Sequence, residues 1–205
     1  MFETHKALIL SLTPSGESFL MLTVLSPEAG VFYCLKRISK NKPAATASPD
    51  LFDTAEIELE TSKQSSGARF VRDYRPLHRR TTIGHNYHKL QAASEFCNIL
   101  TKNAPEMGDY ATLYHLAERS LDAFAERATP TIVLLKSVYL LLKDEGYPVR
   151  ESWWPQVPMN LRETTKQLLN QPPPDEADES TLQACEAITQ NLNRWLQRET
   201  DLLLP

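Results

Sequence analysis

Apolar residues come in short, strand-length runs as far as Tyr74 and at spacings of three and four from Ile83 onward, and this change of period constrains the fold more than any other feature of the chain. The first runs cover residues 7–12, 19–25 and 31–35, and the turn formers Pro14-Ser15-Gly16-Glu17 and Ser26-Pro27-Glu28-Ala29-Gly30 separate them. Residues 55–60 alternate apolar with acidic side chains as a half-exposed strand does. Ser65-Ser66-Gly67 supplies a hairpin turn, and a last run follows over 68–74. Five strands in about 75 residues suit a small closed β-barrel of the OB type.

Beyond a switch between residues 77 and 82 the pattern is helical. Ile83, Tyr87, Leu90, Ala93, Cys97 and Leu100 share one face of a helix near 82–102, which Asn103-Ala104-Pro105 ends. Asp109 is a good N-cap for a helix near 110–127, with Tyr110, Leu113, Ala117, Leu121 and Phe124 in register. A helix near 130–145 has the clearest ends, with Thr129 and Pro130 at its start and Gly146 and Pro148 at its stop. Its apolar residues cover most of its circumference, so it is expected at the centre of a bundle. Helices near 161–170 and 181–202 complete the set. Asn160 with Glu163 and Ser180 with Gln183 have capping-box spacing, and the acidic, proline-rich stretch 171–179 reads as a solvated loop. The fold class is therefore α+β in two domains. Residues 1–79 form an OB-fold nucleic-acid-binding domain with a five-stranded barrel, and 80–205 form an all-α helical bundle.

Composition excludes several function classes. The 205 residues are 41% hydrophobic, enough for a core, with no stretch of about 18 uncharged apolar residues and no secretory pattern after Met1, which argues for a cytoplasmic protein away from membranes. Cys34, Cys97 and Cys185 are odd in number, far apart and set in apolar patterns, as reduced thiols packed like small hydrophobes would be. No phosphate-cradling glycine loop and no Gly-x-Ser-x-Gly string occurs. His78, His85 and His88 with Asp73 are the best metal constellation, yet no carboxylate stands at a helpful spacing, and they read as exposed polar residues. The expectation is a non-enzyme without metal or cofactor.

The formal charge of −4 hides an asymmetry, since residues 1–89 hold twelve Lys and Arg against nine Asp and Glu, whereas the remainder holds ten against seventeen. Two basic clusters fall in the first part. One is Lys36, Arg37, Lys40 and Lys42; the other is Arg69, Arg72, Arg75, Arg79 and Arg80, interleaved with Phe70 and Tyr74. Lys and Arg that displace condensed counterions supply most of the affinity for nucleic-acid backbones, so these nine are the candidate DNA-binding residues. Phe70 and Tyr74 are expected to fill the barrel core, with the arginines on phosphates.

The order Ser15-Gly16-Glu17-Ser18 in the first turn, Glu28-Ala29-Gly30 in the second, a basic loop and then a helical domain resembles the RecO family of bacterial recombination mediators. Residues 138–148, Val-Tyr-Leu-Leu-Leu-Lys-Asp-Glu-Gly-Tyr-Pro, are similar to that family's Leu-Leu-x-x-Gly-Tyr-x-Pro region. The resemblance implies a non-catalytic protein of the cytoplasm and nucleoid. Such a protein binds single- and double-stranded DNA, anneals strands, contacts RecR and the C-terminal tail of single-strand-binding protein, and helps load RecA during DNA repair. Two departures stand out. Many relatives carry four zinc-binding cysteines after the Gly-Tyr-Pro region, where this chain has Trp153-Trp154-Pro155, so zinc is not expected. Relatives also commonly have a glycine leading into the basic loop, where this chain has Leu35 and Ile38. An acidic tail peptide needs cations, and Arg119, Arg127, Lys136, Lys143 and Arg150 are the ones available in the helical part. The alternative is a protein-interaction adaptor with little direct affinity for DNA; Trp153-Trp154 would serve it as a binding hot spot, but beside Pro155, Val157 and Pro158 the pair reads rather as a clamp that holds a loop onto the bundle.

Overall fold

A computed structural model describes residues 2–38, 47–61 and 68–204. Five strands close into a barrel in the order β1-β2-β3-β5-β4: β1 is Phe2–Ser15, β2 Phe19–Ser26, β3 Gly30–Arg37, β4 Thr54–Thr61 and β5 Arg69–His78. All five expected strands are present in an OB-like barrel. The hairpin turn expected at 65–67 lies outside the described residues, as do Lys40 and Lys42. All neighbours run antiparallel except β3 and β5, which meet in parallel at Leu35 and Phe70.

Side chains alternate in and out along each strand, and the inward set forms the core: Ala7, Ile9, Leu22, Val24, Phe32, Cys34, Ala55, Ile57, Leu59, Val71 and Tyr74. Burying each larger aliphatic or aromatic side chain contributes about 1.5–3 kcal/mol. The register shifts at three places, Leu10, Arg72 and Leu77, and the first two reset the alternation of the core. At Leu10 the pairing of β1 with β2 slips between Ile9 and Ser11, which shifts the inward phase from Ala7 and Ile9 to Leu12. At Arg72 the pairing of β4 with β5 slips, so Val71 and Tyr74 both face in. Phe70 is thereby turned outward and is half-buried, which corrects the expectation that it fills the core.

The helices are α1 (Thr81–Gly84), α2 (Tyr87–Asn103), α3 (Tyr110–Glu126), α4 (Pro130–Asp144), α5 (Arg162–Asn170) and α6 (Glu179–Glu199). Where one helix was expected near 82–102, the chain breaks after Gly84. Asn86 caps α2 by accepting from the Lys89 N–H at 3.1 Å, and Tyr87, at the new start, is 72% exposed rather than buried. Asp109 caps α3 as expected, accepting from the Thr112 N–H at 3.0 Å. Neither capping box forms: α5 starts from a short 3-10 turn (Met159–Leu161) without a side-chain cap, and α6 is capped by Asp178, which accepts from the Thr181 N–H at 2.8 Å. No helix among the described residues is long and apolar enough to cross a membrane.

By their contacts the residues group into two units, Met1–Arg80 with Ala104–Glu118, and Thr81–Asn103 with Arg119–Pro205. In the first, Lys6 lies 5.2 Å over the Tyr114 ring and 3.5 Å from Glu118, which also accepts from Tyr114 at 3.2 Å and from Thr54 at 3.4 Å. Residues 104–118, helical in period, thus group with the barrel. In the second, α4 is the buried helix that its composition implies. Trp153 is fully buried, its indole N–H donating to Asn191 Oδ1 at 2.9 Å, while Trp195 donates to Ser152 Oγ at 2.9 Å. Both are core members whose polar edges are satisfied, which leaves Trp153 no part in a surface hot spot. All three cysteines are free and buried.

Candidate nucleic-acid interface

The barrel exterior is built from the residues that alternate with the core. Directly paired residues of neighbouring strands project to the same face, so Phe19 with Arg37, Met21 with Leu35, and Thr23 with Tyr33 form an outward row across β2 and β3. Phe70 joins it from β5, opposite Leu35. The Phe19 and Phe70 rings meet at 5.9 Å with their planes tilted by 58°. Tyr33 is 56% exposed and Ile38 44%, unusual for large apolar groups on a strand and its continuation. An aromatic platform with a cation beside it is what an unstacked base and its phosphate require.

Two of the nine sequence candidates border this platform, and two more stand on the opposite, inward-facing side of β3 and β5. Arg37 and Arg72 stand two residues beyond the Leu35–Phe70 pair on their strands, and both are exposed. The Arg72 guanidinium lies 4.4 Å from the Phe2 ring centroid. Arg69 lies 4.8 Å over the Phe32 ring, half-buried. Lys36, half-buried opposite Leu20, has its ammonium pulled below the ordinary lysine range by burial, an effect that the nearby Asp73 carboxylate opposes.

The other described candidates are differently placed. Arg75 is paired with Glu56 at 2.7 Å. Glu56, Glu58 and Glu60 alternate with the β4 core residues and so line the exterior of that strand, where they repel a polyanion. Arg79 donates to the Ser48 carbonyl at 3.1 Å and lies 3.9 Å from Asp53. Arg80 is 2% exposed and donates to the Phe52 carbonyl at 2.7 Å and Thr54 Oγ1 at 3.0 Å. It supports the backbone where Phe52 adopts φ 66°, so the phosphate-contact role expected of Arg80 does not hold. Tyr74, 2% exposed, is no stacking surface either.

Sequence reasoning missed Tyr33 and Phe19. The signal lay in the strict alternation of β3, where Phe32 and Cys34 face in and Tyr33 must then face out.

Among the helical cations, Arg127 pairs with Asp175 at 2.9 Å and Lys136 donates to the Gln171 carbonyl; Thr129 Oγ1 donates to the Pro174 carbonyl at 2.7 Å. The stretch expected to be a solvated loop is therefore pinned to the start of α4, and it occupies two of the five cations. Arg119, Lys143 and Arg150 are exposed. No group of three or more His, Cys, Asp or Glu able to share a metal ion is found among the described residues.

No model of a known protein family matches the chain, and no curated protein is significantly similar to it.

Proposed function

We propose that this chain is a non-catalytic DNA-binding recombination mediator of the RecO type, which holds single-stranded DNA across the exterior of β2, β3 and the start of β5. The observation that carries the reading is the exposed Tyr33 ring on the same outward face as the Phe19–Phe70 pair and Arg37. In five-stranded barrels with this strand order, the β2–β3 face is the common seat of oligonucleotides. Stacking on aromatic faces and charge neutralisation of the backbone are both independent of base identity, so binding is expected without sequence preference. The resemblance in the turns and in residues 138–148 supports the wider role: strand annealing, RecA loading onto coated single strands, and contacts with RecR and with the acidic tail of single-strand-binding protein, in the cytoplasm and nucleoid. For that tail, Lys143 and Arg150 are the better-placed cations, because Arg127 and Lys136 already hold residues 171–175.

The test is anisotropy of a labelled single-stranded oligonucleotide over a range of salt. About five neutralised phosphates give a log–log slope near −3.5. A slope near zero, or binding unchanged in Arg37→Glu and Tyr33→Ala, removes the proposal. A second reading, an interaction adaptor with little affinity for DNA, is favoured by the carboxylate row on the β4 exterior; absence of any binding at low salt is its signature.

A further inference from the structure

The helical unit holds an open groove of about 880 Å³ between the starts of α4 and α6, the residues 175–177 and the outer side of α2. Its apolar surface comes from Pro130, Leu134 and Leu182, the last two half-buried. Its ionisable lining is mainly acidic: Glu95, Glu176, Glu179 and Glu186 border it together with Asp175 and a single histidine, His88, and among the described residues no Lys or Arg does. Asp175 is neutralised by Arg127. The other four have no Lys or Arg partner among the described residues; Glu179 and Glu186 accept only from the Gln183 and Gln190 amides, at 3.0 and 3.4 Å. Burial pushes the Glu95 carboxyl above its ordinary range, so a cation placed beside it relieves an existing cost. At the Glu95, Leu134 and Thr189 end the groove adjoins a smaller cavity of about 160 Å³, with Ile99, Leu135, Val138 and Leu192 on its aliphatic wall and Asn193 and Gln197 on its polar one.

An apolar floor with carboxylates along it and a side cavity with an aliphatic wall at one end matches an amphipathic segment that carries lysine or arginine on one face and an aliphatic anchor on the other. We propose that this groove docks a basic, amphipathic segment of a partner protein. The charge complementarity decides the occupant, since the same lining repels an acidic peptide, and steering by four unneutralised carboxylates raises the encounter rate of a basic one. The inference concerns the helical unit alone and does not depend on whether the barrel holds DNA.

The experiment titrates the whole protein into a short fluorescent peptide with lysine and leucine at helical spacing, beside a second peptide in which every lysine is replaced by glutamate. The basic peptide is expected to bind, and Glu179→Lys with Glu186→Lys is expected to weaken it about tenfold or more. Glu163→Lys, an exposed charge reversal on α5 outside the groove, is expected to leave it unchanged. Gln183→Trp fills the groove from an exposed helical position and is expected to abolish binding without loss of helix content by circular dichroism. Equal loss in Glu163→Lys shows general attraction to an acidic protein and overturns the proposal. Retained binding in Gln183→Trp, or tighter binding of the acidic peptide, overturns it as well.

Discussion

The Tyr74 hydroxyl donates to Asp53 Oδ2 at 2.6 Å, joining two side chains that are 2% and 1% exposed at the start of β4. Burial raises the Asp53 carboxyl above its ordinary range, and the bond from Tyr74 and the Arg79 charge pull it back down. The Tyr74 phenol is itself raised, by burial first and then by Asp53. Removing the hydroxyl in Tyr74→Phe leaves a buried carboxyl short of a donor, and the expected loss is about 1.5–3 kcal/mol by denaturant unfolding. Tyr33→Phe, on the exposed ring, is expected to leave stability unchanged within about 0.5 kcal/mol.

Gly30 has φ +67°, and a Cβ there would meet the Tyr110 ring at 2.8 Å; Gly16 has φ +64° with nothing within 4 Å. Gly16→Ala is therefore expected to cost only the left-handed backbone strain, about 1–2 kcal/mol. Gly30→Ala adds overpacking of about 1–3 kcal/mol. The difference in thermal midpoint between the two variants is the measurement, and near-equal midpoints contradict the contact with Tyr110.

Asp109 and Asp178 are held below the ordinary carboxylate range, Asp109 by the Thr112 N–H and hydroxyl, Asp178 by the Thr181 side chain and N–H. Because their folded values are depressed, their stabilisation is present above the unfolded carboxylate value near 3.9 and is lost as pH falls through the folded values. Asp53, with a raised value, acts in the opposite sense, for its ionisation disfavours the fold as pH rises through the window above the unfolded value. Replacing both caps by asparagine keeps the helix starts without the titration. The double variant is expected to show a flatter decline of helix content from about pH 5 downward.

Burial pushes the Cys34 thiol up to about 12, against a lowering by the Arg69 charge, and the Cys185 thiol up to about 11. Thiolate is the reactive form, so neither residue should be alkylated by iodoacetamide in the native protein at neutral pH. Modification is expected to appear together with global unfolding, as mass spectrometry across a denaturant series can show.

Stacking and charge separate cleanly at the proposed DNA face. Tyr33→Ala is expected to weaken single-strand binding by about 1–3 kcal/mol with the salt slope unchanged. Arg37→Ala is expected to lower the slope by about 0.7, because one phosphate fewer is neutralised.

The five strands were legible because turn formers bracket each run, and α4 because Pro130 and Gly146 mark both its ends. The bulges were not. Leu10 and Arg72 carry no sequence mark of an extra residue, and the slip at Arg72 sends Tyr74 inward and Phe70 outward, two rings that an unbroken alternation places on one face. Arg80 looked like its neighbours in the basic cluster, because its partner is a backbone carbonyl that no composition reveals. The groove carboxylates come from α2, α6 and the residues before α6, so they converge only once the helices pack.

β1 serves two ladders, pairing with β2 through a short turn and with β4 through partners as distant as Phe2 and Glu60. A growing chain therefore has its first hairpin long before the strand that closes the barrel exists, and one edge of β1 waits with its amides unsatisfied. When the full-length chain refolds from denaturant, assembly of the barrel should lag behind that of the helices, and on a nascent chain the exposed charges Glu3 and Lys6 along the waiting edge disfavour pairing with a neighbour.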